Sequence, residues 1–214
     1  MDTKIEMKIK EIFGKNLVTI AEYYTGDVIN ILVVCNTFDF TTLQKLKQLK
    51  EIPLILTKEE LTDGVDVFPI EFLNIKKHHK IIYGEDFLKD LVISKIFLRH
   101  QLEFEFRSKL IHLRREYLQF KGKDFDNLIL SVIPTLVPII GGLLYLKDSD
   151  LGDTNNMIRS FSDEYGIDIQ VLKEIYDIRE GNSKFNKDKE QYIRELIKVL
   201  SNIGEIVDEL EVLE

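Results

Sequence analysis

Lys76-Lys77-His78-His79-Lys80 is a compact basic run whose side chains suit phosphate, with Lys76, Lys77 and Lys80 as the first contacts a phosphate group would meet. Its two adjacent histidines diverge along the chain, so a solvated basic connection accounts for them better than a metal-binding pair. Glu85-Asp86 follows Gly84 and precedes apolar Phe87-Leu88, the pattern of a turn or cap. Cys35 closes an apolar run and reads as a small buried residue. As the only cysteine, it excludes an intrachain disulfide and a thiolate zinc cluster. His100 and His112 fall inside a long helical pattern and read as packed or surface histidines. There is no Gly-rich phosphate loop, zinc-protease helix or nucleophile elbow.

Positioning these residues falls to two halves of different character. The N-terminal half opens with Ile5, Ile9 and Ile12 at helical spacing, a short amphipathic helix from Asp2 to Ile12 that Gly14 ends. Leu17–Tyr24 and Val28–Cys35 are β-rich and flank Thr25-Gly26-Asp27, a hairpin pattern. Phe40–Leu49 follows at helical spacing, then Ile52–Leu56 as a short apolar strand. Thr57-Lys58-Glu59-Glu60 is a capping box that starts another helix. Val67–Leu73 and Ile81–Tyr83 read as two further strands. This order predicts a mixed sheet with helices on one face over residues 1–92.

Beyond about Asp90 the strand patterns stop. Ser94 to Phe120 reads as one long helix with a broad apolar face of Phe97, Leu102, Phe104, Phe106, Leu110, Leu113 and Tyr117. Arg99, Glu103 and Arg107 stand four residues apart, the spacing of solvated ion pairs on a helix. Leu128–Leu146 carries no charge and is about as long as a membrane span. No positive cluster flanks it, so it reads as a buried core helix, and a membrane-anchored protein spanning there is the alternative. Asn156–Tyr165, Ile169–Ile178 and Lys187–Leu213 complete a helical bundle over residues 93–214. The net charge of -8 is spread over both halves, so general nucleic-acid binding is not expected. Met1-Asp2-Thr3-Lys4 lacks the apolar core of a signal peptide, which makes the cytoplasm the expected compartment. Wide apolar helix faces predict a protein partner or a homodimer.

The segment from Val67 to Ile75 and the run His78 to Asp86, set after the strand Ile29–Val34, resemble bacterial members of the polymerase-β-like nucleotidyltransferase superfamily. That resemblance implies an α+β fold, a nucleotidyltransferase-like mixed-sheet domain followed by an all-α bundle. It implies two magnesium ions held by Asp-x-Asp on one strand and a third acid on a neighbouring strand, with a Gly-Ser turn before them. The chain departs from that pattern. Val28 and Asn30 fall where the aspartates belong, Ala21-Glu22 where the Gly-Ser belongs, and Glu71 alone matches as the third acid. The expectation is a degenerate, non-catalytic binding or interaction module, with weak or absent nucleotide binding and no cofactor. The alternative is an active, magnesium-dependent nucleotidyltransferase with a rearranged site. It would use Asp27 and Glu71 as its catalytic acids, perhaps with Asp66, on a small molecule or protein.

Overall fold

The computed structural model describes residues 2–25, 28–119, 124–149, 152 and 154–210. The chain divides into two compact units, Met1–Ser94 and Lys95–Glu214. The first runs α1 (Thr3–Phe13), β1 (Leu17–Thr25), β2 (Val28–Cys35), α2 (Phe40–Leu46), β3 (Leu54–Thr57), α3 (Lys58–Gly64), α4 (Pro69–Lys77) and β4 (His79–Gly84). The second runs α5 (Lys95–Gln119), α6 (Asp124–Leu146), α7 (Thr154–Tyr165), α8 (Gln170–Arg179) and α9 (Lys189–Glu209).

The four strands lie in the order β3-β2-β1-β4. β1 pairs antiparallel with β2, Ile20 opposite Val33, and antiparallel with β4. β3 pairs parallel with β2, Leu32 opposite Leu54. Ile31, Val33 and Cys35 join a core cluster with Ile5, Ile9 and Phe13 of α1 and Leu46 of α2. Leu32 and Val34 point the other way and are as fully buried. α3 contacts β2 and α4 contacts β1. The inner strands are therefore covered on both faces, which corrects the expectation of helices on one. The physical sign is the unbroken apolar run Ile31–Cys35, since a strand wetted on one face would alternate.

Val67–Leu73 is not a strand. Pro69 opens α4 at its first turn, where a missing N–H costs nothing. Ile70 and Leu73, with Phe72 and Ile75, then recur three apart and are buried. The capping box at Thr57 is formed in full: Thr57 Oγ1 accepts from the Glu60 N–H at 3.0 Å, and Glu60 accepts from the Thr57 N–H at 2.7 Å. Gly84 closes β4 at φ +84, where a Cβ would lie 1.9 Å from the Val18 carbonyl oxygen. Only glycine fits that approach between β4 and β1.

In the second unit α6 contacts α5, α7, α8 and α9. Ile129, Ile133, Leu136, Ile140, Leu143 and Leu144 are almost wholly buried. Pro134 and Pro138 lie inside this helix and have no N–H to bond the preceding turn. α6 stays continuous because neighbouring helices hold it by packing, not by propensity. Gly142 lets α5 approach, since a Cβ there would lie 2.9 Å from Leu102. Among the described residues, Phe125–Leu146 is the one helix long and apolar enough to cross a membrane, and 61% of its 18-residue apolar stretch is buried within the protein.

Candidate functional site

The resemblance points to the start of β2. Val28 is 57% exposed and Ile29 55%, while Asn30 is half-buried. The Asn30 amide nitrogen donates to Thr25 Oγ1 at 3.2 Å and to the Val28 carbonyl at 3.4 Å, so its NH2 group braces the hairpin. Two strands flank β2. β3, which reads Leu54-Ile55-Leu56-Thr57, pairs only from Leu32 onward and carries no carboxylate. β1 sets Tyr23, Tyr24 and Thr25 opposite Asn30, Ile29 and Val28 and carries one buried carboxylate, Glu22, opposite Ile31. Asp27 lies outside the described residues.

Glu71, expected as the third acid on a neighbouring strand, sits instead in the first turn of α4 and is exposed. A helical turn sends it to solvent between buried Ile70 and Phe72. Asp66 is exposed beyond α3. Among the described residues, no group of three or more His, Cys, Asp or Glu side chains is placed to hold a metal ion. The residues present at the start of β2, an apolar side chain and a neutral amide, do not fit a pair of magnesium ions, which demand carboxylate oxygens.

The basic run spans the end of α4 and the start of β4. Lys76 donates to the Leu91 carbonyl at 2.5 Å and so ties down the segment leading out of the unit. Lys77 and Lys80 are exposed. His79 is a structural clip: Nδ1 lies 3.0 Å from the carbonyl oxygens of both Ile75 and Lys76, and Nε2 lies 3.0 Å from Asp86 Oδ1. The carbonyls only accept, so Nδ1 donates to them, and Nε2 bonds Asp86 by donating to its ionised carboxylate or accepting from its protonated one. The clip satisfies carbonyls that the end of α4 would leave open. Burial, and then the charge of Lys77, pushes the His78 imidazole below its ordinary pKa. Asn74 donates to the Tyr24 carbonyl at 2.9 Å and the Tyr24 N–H to the His78 carbonyl at 2.9 Å, which joins α4 to the hairpin. Sequence reasoning passed over Asn74 and the His79–Asp86 pair. The seven-residue separation of His79 and Asp86 across Gly84 is the one signal that could have suggested the second.

Cys35 is buried with its Sγ 3.6 Å from the Leu56 carbonyl, and burial, with the charge of Glu60, pushes its thiol up to about 11. It is no nucleophile at neutral pH. In the second unit, Glu103 pairs with Arg99 at 3.4 Å and Arg107 at 3.2 Å, as its spacing predicts. His112 is exposed on the helix surface and pairs with Glu116 one turn on, at 2.9 Å.

No family model matches the chain, and none of the curated proteins does. Among solved structures it is similar to the spectinomycin adenyltransferase AAD(9) from Enterococcus faecialis, crystallised with ATP and spectinomycin. The match covers 94% of this chain and all of that one, with a TM-score of 0.54 and 14% identity. The fold is nucleotidyltransferase-like. The chain has a mixed sheet and a helical unit, and the positions where the resemblance expects Asp-x-Asp hold Val28 and Asn30. At that level of identity the likeness concerns the architecture and not the chemistry.

Proposed function

We propose that the chain is a degenerate nucleotidyltransferase-like protein that no longer transfers nucleotides and serves as a binding or interaction module in the cytoplasm. The observation that carries this reading is the start of β2. There an exposed valine and a hairpin-bracing asparagine occupy the expected metal-ligand positions, and the one carboxylate of the adjacent β1, Glu22, belongs to no group of three metal-binding side chains among the described residues. Two dications and a triphosphate held together without carboxylates would be poorly neutralised. Magnesium-dependent nucleotide binding is therefore expected to be weak or absent, and no cofactor is assigned. The rearranged alternative, with Asp27 and Glu71 as its acids, has less support, since Glu71 is an exposed residue of α4.

Titration calorimetry with each nucleoside triphosphate, with and without magnesium, tests the reading. Little or no heat of binding is the expected result. Tight magnesium-dependent binding, weakened by Glu71→Gln and Asp27→Asn, would establish the rearranged active site instead. A second reading, α6 as a membrane anchor, draws on the length and apolar character of Phe125–Leu146. Its extensive burial among four other helices favours a core role, and flotation of the expressed protein with membranes would reverse that.

A further inference from the structure

α5 is apolar on two opposite sides. At 100° per residue, Leu98, Leu102, Phe106 and Leu113 share one side, and all four are buried where α5 meets α6 and α9. Phe97, Phe104, Ile111 and Leu118 recur every seven residues on the other, and they are 45, 68, 66 and 80% exposed. Arg107, Arg114 and Arg115 share this outer side with Ser108, and no carboxylate does. Arg114 and Arg115 are exposed and make no ion pair with a described residue. The three carboxylates of α5, Glu103, Glu105 and Glu116, lie off this side, and each is already paired. On one border Glu103 meets Arg99 and Arg107, and Asp208 meets Arg107 at 2.8 Å; on the other Glu105 meets Lys109 at 3.1 Å, while Glu116, in the direction of Leu98, meets His112.

We propose that this outer side of α5 docks an acidic amphipathic helix of a partner protein. A heptad stripe of large apolar groups accepts the apolar seam of a helix, and two arginines that make no ion pair among the described residues would pair with Asp or Glu beside that seam. A second copy of this chain is a poorer occupant, because the same face would bring arginines and no carboxylate. A lipid surface is poorer too: the apolar and basic strip is one helix wide, and an anionic membrane would meet the carboxylates on both borders. The proposal rests on the interaction-module reading and gives it a surface.

The test uses the full chain and a designed, fluorescently labelled helical peptide of three heptads, with leucine at the seam and glutamate beside it. A second peptide carries lysine in place of each glutamate. The acidic peptide is expected to bind saturably and the basic one not to. Ile111→Glu should weaken binding about tenfold or more, and Arg114→Ser with Arg115→Ser should weaken it and flatten its salt dependence. Circular dichroism of the variants guards against misfolding. Equal binding of both peptides, no binding of the acidic one, or binding unchanged in both variants would overturn the proposal. So would capture by phosphatidylserine vesicles, or self-association that Ile111→Glu abolishes. Nucleotide calorimetry on the same variants separates the two readings. Magnesium-dependent nucleotide binding alongside intact peptide binding counts against the pseudoenzyme alone, whereas loss of peptide binding counts against this surface alone.

Discussion

The uncovered apolar side chains of the two units differ in arrangement. In the first unit they include two neighbours at the start of β2, Val28 and Ile29, which stand without a period at the place where carboxylates were expected. In the second they recur every seven residues along three intervals of α5. Neighbours on a strand end match no partner's shape, while a heptad stripe matches the face of a helix. The contrast separates an exposed residue left where chemistry is missing from one that belongs to a surface. It also separates the long helices of the second unit: the charge-free α6 is enclosed, and the charge-rich α5 leaves its apolar outer side open.

The strongest way to break the contrast acts on the framework of the first unit. Gly84→Ala would drive a Cβ into the Val18 carbonyl at a positive φ, and the expected cost is about 4 kcal/mol or more, read by chemical unfolding. If the variant were as stable as the parent, the tight junction of β1 and β4 that holds the hairpin would be misassigned. A paired comparison follows in the second unit. Leu143→Ala empties a fully buried position in α6 and should cost about 2–5 kcal/mol, whereas Ile111→Ala on the outer side of α5 should stay within about 0.5 kcal/mol. Equal losses would mean that the outer stripe is part of the core and not a free surface.

The smallest effect sharpens the account of the basic run. The His78 imidazole titrates below its ordinary value of 6.5 in the folded chain, chiefly because burial disfavours its charged form. The folded state therefore binds fewer protons than the unfolded one as pH falls. The stability contribution is complete above about pH 6.5 and declines below it, through the lower folded value. His78→Gln should reduce the slope of stability against pH in that window and leave the slope above it unchanged, as unfolding midpoints across pH 5–8 would show. A slope unaltered by the substitution would place His78 in solvent.

Some of this molecule was determined by short-range pattern alone. The β1–β2 hairpin, the capping box at Thr57 and the ion pairs around Glu103 are written into residues within a few positions of each other, where local geometry has few alternatives. The replacement of Asp-x-Asp by Val28 and Asn30 was likewise legible without coordinates. Tertiary structure decided the rest. Pro69–Lys77 is too short for its apolar period to separate strand from helix, and burial of Ile70, Phe72, Leu73 and Ile75 beside β1 settled it, which carried Glu71 to the surface of a helix. The reading of α5 as a single broad apolar face hid two sides, because composition cannot tell which side its neighbours will cover. That choice was made by α6 and α9, with Gly142 allowing the close approach that buries Leu102 and leaves Phe104 outside.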